Sequence, residues 1–76
     1  MPTLVRLANC KIAIYSGNHL PPHFHVILSD GRDALIVIEN LEILSGRIAK
    51  RELESALQWA QLNQSLLTAK WKELNP

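Results

Sequence analysis

The sequence is poor in cysteine, in long apolar runs and in excess charge of either sign. Its one cysteine, Cys10, excludes an intramolecular disulfide and a zinc-ribbon site, and it fits a reducing compartment. No apolar run approaches the ~18 residues of a transmembrane helix, and the first residues lack the pattern of a signal peptide. We therefore expect a soluble, cytoplasmic protein without a membrane segment.

The charge balance argues against one large class of function. Eight Lys and Arg against seven Asp and Glu give a net charge of +1. No broad cationic surface for strong non-specific nucleic-acid binding is expected, although binding to a short or structured RNA remains open. With 76 residues, 47% of them hydrophobic, the chain predicts one globular domain over 1–76. Its core must be small, so a partner or a homo-oligomer could contribute to stability.

The first half of the chain predicts an antiparallel sheet. We expect strands over 3–8, 11–16, 24–29 and 33–39, because these runs are rich in β-forming residues. Asn9-Cys10 and Asp30-Gly31 mark hairpin turns between them. The short run 41–44 fits either a fifth, edge strand or a turn that leads into a helix.

The second half of the chain has helical spacing from Ala49 onward. Gln64 interrupts the apolar stripe, and Asn63 could cap a second helix that begins at Gln64, so a helix pair competes with one long helix. We expect an α+β fold with an antiparallel sheet of four to five strands and the C-terminal helix on one face. Trp71 lies on the stripe and is expected in the core, whereas Trp59 flanks the core or contacts a partner.

All three histidines and two of the four prolines fall within residues 18–25. Pro21 and Pro22 fix two φ angles and remove two backbone donors, which predicts a stiff loop. Strand alternation places His23 and His25 on one face and the apolar residues between and after them on the other. We expect the apolar face under the helix and both histidines on the more open face, with His19 able to fold back towards them.

Two chemistries suit these histidines. His19, His23 and His25 could ligate Zn or another transition metal, since three histidines with an open fourth position are typical of catalytic zinc. Without a metal, His23 and His25 are candidate catalytic residues that act as general base and general acid in RNA cleavage. The charged phosphorane would then be stabilised by a nearby side chain, for which the candidates are Arg6, Arg32 and Tyr15.

Two further interpretations need no catalysis. His23 and His25 could hydrogen-bond backbone groups of the Pro-Pro loop and fix its exit. The same rigid face could instead recognise a partner. The basic residues near the helix start, Arg47, Lys50 and Arg51, are expected to be a solvated face or a docking site for an acidic partner or RNA phosphate.

Several segments together resemble a known family. They are Pro2-Thr3, the segment from Ile14 to Val26, residues 44–46 and 59–63, and Trp71. The chain is similar to the domain of unknown function 4160 family (DUF4160), whose signature reads Tyr-Ser-x-x-His-x-Pro-Pro-His-x-His. The resemblance implies a small bacterial, phage or mobile-element protein, often encoded beside a second small protein in a pair resembling a toxin–antitoxin operon.

The leading hypothesis is therefore an interaction module that binds the small protein encoded by a neighbouring gene. The resemblance supports the histidine segment as the signature of the family. The candidate binding residues are His19, Pro21, Pro22, His23, His25, Tyr15 and Arg6. A histidine-based RNase or metal-assisted hydrolase that uses the same histidine cluster is the alternative.

Overall fold

The computed structural model describes residues 3–17 and 20–76 and contains a five-stranded antiparallel sheet. The strands follow one another across the sheet in chain order. They are β1 (Thr3–Arg6), β2 (Cys10–Ala13), β3 (His23–Leu28), β4 (Asp33–Val37) and β5 (Ile43–Ser45). The α+β prediction is confirmed, and the run 41–44 is resolved in favour of a fifth strand at the edge, which begins at Ile43.

The predicted hairpins form, with one correction at the first turn. In the β3–β4 hairpin, the backbone N–H of Leu28 donates to the carbonyl of Arg32 at 2.7 Å. In the β1–β2 hairpin, the N–H of Leu7 donates to the carbonyl of Cys10 at 2.7 Å. Cys10, which we expected in the turn, is the first residue of β2 and is buried. Burial raises the pKa of its thiol, which keeps the sulfur protonated and poorly nucleophilic.

The chain leaves β5 at a glycine that no other residue fits well. Gly46 has a φ of +118°, in the left-handed region that disfavours residues with a Cβ. A Cβ placed there would lie 2.8 Å from the Cα of Ala34 and 2.8 Å from the carbonyl oxygen of Asp33. The absence of a side chain lets the strand exit pass directly against β4.

Two helices follow a 3₁₀ turn at Lys50–Leu53. They are α1 (Glu54–Leu62) and α2 (Gln64–Leu74), so the helix-pair alternative is correct. Asn63 separates them with a φ of −128° and a ψ of 27°. Its side-chain Nδ2 donates to the carbonyl of Trp59 at 2.8 Å, which caps the end of α1 rather than the start of α2.

Gln64 explains why the apolar stripe is interrupted. Its Nε2 donates to the carbonyl of Ile38 at 2.8 Å and to that of Glu39 at 3.2 Å. These carbonyls follow the end of β4, where the strand ladder no longer supplies donors. The glutamine therefore attaches the start of α2 to the sheet.

The hydrophobic core lies between one sheet face and the helices. From the sheet come Cys10, Ile12, Ile14, Phe24, Val26, Leu28, Ala34, Ile36 and Ile38, and from the rest of the chain Ile48, Leu53, Ala56, Ala60, Leu67 and Trp71. Trp71 is buried in this core as predicted, and Trp59 packs partly buried against it. The other face of the sheet, opposite the core, holds the candidate site.

Candidate functional site

His23 is buried, with 6% of its surface exposed. Its Nδ1 lies 2.8 Å from the carbonyl oxygen of Pro21, and because a carbonyl only accepts, Nδ1 carries the proton. Its ring centroid is 5.2 Å from that of Trp71. The expectation that His23 lies on an open surface is wrong, because the C-terminal part of α2 places Trp71 against the ring.

The loop before β3 is tied to the fold through both proline carbonyls. The carbonyl of Pro21 accepts from His23, and the carbonyl of Pro22 accepts from the N–H of Ile38 at 3.1 Å. The Leu20–Pro21 peptide bond is cis. The backbone bond to the loop predicted for His23 and His25 is thus present at His23, and the loop exit is fixed against the end of β4.

His25 sits in the middle of β3 and is half-buried. The ring of Tyr15 packs edge-on against its imidazole, and the ring of His23 lies 5.6 Å away between centroids. Among the residues that the structure describes, the buried Nε2 of His25 has no hydrogen-bond partner. Burial, followed by the nearby His23, lowers the pKa of His25 below 6.5, while Asp33 opposes the shift. The imidazole is therefore neutral at neutral pH.

Strand pairing defines the surface around His25. His25 lies opposite Ala13 on β2 and Leu35 on β4, and the next row of paired residues is Lys11, Ile27 and Asp33. We call the sheet surface away from the helices the open face; it includes Lys11, Ala13, His25, Ile27, Asp33, Leu35 and Val37. Its centre is largely apolar, because Ile27, Leu35 and Val37 lie there. All three side chains are half-buried.

The sequence-predicted site residues are only partly brought together. Tyr15, His23 and His25 form one cluster of rings.

Arg6 pairs with Lys11 across β1 and β2, so β2 separates it from His25 on β3. Arg32 binds Asp30 at 2.9 Å and Glu52 at 3.0 Å, and its hydrogen bonds hold the pKa of Glu52 below the usual range. Neither arginine lies beside the histidines.

The three-histidine metal site includes a residue outside the described part of the chain. Across residues 3–17 and 20–76, no group of three His, Cys, Asp or Glu side chains could hold a metal ion. His19 falls between these two ranges, so a site formed by His19, His23 and His25 stays a prediction. The proton on Nδ1 of His23 leaves its Nε2 as the nitrogen that could ligate a metal.

Sequence reasoning missed the contact between His23 and Trp71. The two residues are far apart in the chain, and the stripe identifies Trp71 only as a core residue. Which strand residue meets it depends on where the end of α2 crosses the sheet. The donor role of Gln64 did have a signal, because a polar residue within an apolar helical stripe needs a buried partner.

A family model matches residues 10–72, a range that runs from the first residue of β2 into α2 and contains the whole histidine segment. The chain belongs to the DUF4160 family. This domain of unknown function is the family indicated by the resemblance described above, and the match covers most of the fold. Comparison with curated proteins and with solved structures gives no match. Membership in DUF4160 alone assigns no activity to the histidines.

In the part of the DUF4160 chain that the structure describes, no helix has the length and apolar character needed to cross a membrane.

Proposed function

We propose that this protein is a cytoplasmic interaction module, one member of a toxin–antitoxin-like two-gene pair, which binds the small protein encoded by the neighbouring gene. The binding surface is the open face of the sheet. The observation that carries the proposal is the apolar centre of this face around His25. An antiparallel sheet with one solvated face normally places polar side chains there.

The side chains on the open face suit a protein surface better than a small ligand. Leu35 and Val37 are alternate residues of β4, and Ile27 on β3 lies diagonally across from Leu35, so these three half-buried side chains form an apolar strip. Apolar surface of this kind, rimmed by charged residues such as Lys11 and Asp33, is typical of interaction sites.

His25 provides a polar anchor within this apolar strip. A buried nitrogen without a partner costs about 1–3 kcal/mol, and a hydrogen bond from a partner would recover that cost. Because the atom is covered in the free protein, a neighbouring side chain must move before the partner can reach it. A neutral imidazole is suited to this role, because a partner that covers it does not have to desolvate a charged group.

The test is co-purification with the product of the neighbouring gene, expressed from the same operon and detected by native mass spectrometry. Leu35→Gln should abolish the complex, because it places an amide in the centre of the strip. Leu62→Gln is the matched control, since Leu62 is a leucine with 85% exposure on α1, away from the open face. A complex that survives Leu35→Gln, with the fold verified by circular dichroism, would contradict the proposal.

The second candidate is a histidine-based RNase or metal-assisted hydrolase. Its support is the neutral state of His25, which leaves a ring nitrogen able to accept a proton as a general base. RNA cleavage or metal-dependent hydrolysis that disappears in His25→Gln, with folding intact, is the result expected for this candidate. Growth arrest that persists in His25→Gln would count against it.

A further inference from the structure

A second feature lies at the end of the sheet away from Tyr15, where residues of both sheet faces reach the surface. There, next to the β1–β2 and β3–β4 hairpins, the surface forms a cleft of about 480 Å³. Arg6 and Lys11 provide its cationic side chains, and Leu7, Ile27 and Leu28 provide its apolar lining. The cleft is continuous with the apolar strip, because Ile27 belongs to both.

The two cations are placed in an unfavourable arrangement for the isolated protein. Arg6 and Lys11 are direct cross-strand partners, and like charges in that position destabilise a sheet. The ion pairs of the described residues use Arg32 and Lys70 instead. No residue described as lining the cleft is acidic, and Ile27 separates Lys11 from Asp33 along the row. An anion between Arg6 and Lys11 would relieve the repulsion.

The remaining groups of the cleft indicate what carries the anion. The donors of Ser29 are already used, because both its hydroxyl and its backbone N–H donate to the Asn9 carbonyl at 3.0 Å. The other walls are mainly apolar. The hydroxyls and ester oxygens of a sugar-phosphate chain would find few hydrogen-bonding partners against these walls. An acidic residue flanked by apolar side chains matches both the cationic pair and the apolar walls of the cleft.

We infer that this cleft binds a carboxylate carried on an apolar peptide segment, and that it receives an acidic side chain of the partner. The inference rests on the proposed function for the identity of the partner. Arg6 supplies the planar guanidinium that pairs with a carboxylate, and Lys11 supplies a second positive charge. Leu7, Ile27 and Leu28 contact the neighbouring apolar side chains of that segment.

A peptide titration tests the cleft without the partner. Acetyl-Leu-Asp-Leu-Glu-Leu-amide is added to the isotope-labelled protein, and amide shifts are followed by NMR. Saturable shifts are expected around Arg6, Lys11 and Ser29, with a Kd that rises about tenfold in Arg6→Gln. The same peptide with Asn and Gln in place of Asp and Glu is the control. Equal binding of that control, equal binding of inorganic phosphate, or an absence of saturable shifts would overturn the inference.

A stability measurement separates a binding role of Lys11 from a structural one. Lys11→Glu turns the like-charge pair with Arg6 into an opposite-charge pair, so the melting temperature should rise while peptide binding is lost. A fall in melting temperature would show that Lys11 serves the fold, and would contradict the inference. A partner complex that is lost in Leu35→Gln but unaffected by Arg6→Gln would overturn the inference about the cleft. The proposed function would still be supported.

Discussion

Tyr15 and His25 pack edge to face, with ring centroids 4.6 Å apart and an interplanar angle of 84°. Tyr15 follows β2 and His25 lies on β3, so the pairing of these two strands brings the rings together. The phenol ring shields the imidazole from water, and burial is the largest cause of the lowered pKa of His25. We therefore expect the pKa of His25 to change when the ring of Tyr15 is removed.

The stability of the fold should depend on pH through His25. Its pKa in the folded protein is below the value of 6.5 that applies to the unfolded chain. Between these two values the unfolded chain binds more protons, so the free energy of unfolding decreases as the pH falls through that window and then levels off. Urea denaturation at pH values of about 7.5 and 5 should show a larger loss for wild type than for His25→Gln. Equal losses would contradict this assignment.

Removing the ring of Tyr15 should return His25 towards ordinary titration. In Tyr15→Ala the imidazole gains water, so its pKa should rise relative to wild type, whereas Tyr15→Phe keeps the ring and should leave the pKa low. The measurement is an NMR titration of the His25 ring protons. If both variants titrate like wild type, another neighbour is responsible for the shielding.

His23 should contribute to stability through two separable contacts. His23→Phe keeps a ring against Trp71 but removes the donor to the Pro21 carbonyl, and His23→Asn keeps a donor but removes the ring. Each change should lower the free energy of unfolding by about 1–3 kcal/mol, and His23→Ala, which loses both contacts, should lower it most. Urea denaturation provides the values. An alanine variant as stable as wild type would mean that neither contact holds the loop.

A substitution that completes the apolar stripe of the helices should destabilise the protein. Gln64→Leu leaves the carbonyls of Ile38 and Glu39 without their side-chain donor, at a cost of about 1–2 kcal/mol in the free energy of unfolding. The control is Gln61→Leu, at an exposed position on α1. Thermal denaturation of the two variants should show the larger decrease for Gln64→Leu, and the reverse order would refute the anchoring role of this glutamine.

Gly46 and Gly31 allow a backbone effect to be separated from a steric one. Both have a positive φ, but a Cβ at Gly31 meets nothing within 4 Å, whereas one at Gly46 overlaps the backbone of β4. Gly46→Ala should therefore lower the free energy of unfolding by about 1–3 kcal/mol more than Gly31→Ala. Chemical denaturation measures both, and equal losses would show that β5 can move away from β4 at little cost.

Most of the secondary structure could be predicted because it depends on local patterns. Alternation identified the strands, Asp30-Gly31 identified a hairpin, and Asn63 raised the helix pair as the alternative to one long helix. The shift of register between Thr3 and Val5 in β1 has no such local signal. The fifth strand stayed ambiguous, since three residues are too few to establish a period and all three are exposed.

The candidate site was predicted less completely than the fold. The histidine segment is visible in the sequence itself. The proximity of His23 to His25 follows from strand alternation. The burial of His23 does not, because it requires the position of Trp71 in the folded chain. Arg6 was grouped with the histidines from its residue type, and only the register of β1 and β2 places it with Lys11 at the cleft.

The chain-order arrangement of the strands has a consequence for assembly of the site. His23 and His25 lie on β3, and Tyr15 follows β2, which pairs with β3, so their grouping requires only that two strands consecutive in the chain pair with each other. Short loops cost little chain entropy and close early, whereas the contact between His23 and Trp71 must await the helices. The contacts among Tyr15, His23 and His25 are therefore local in the chain, whereas the contact that buries His23 depends on a residue 48 positions further on, Trp71.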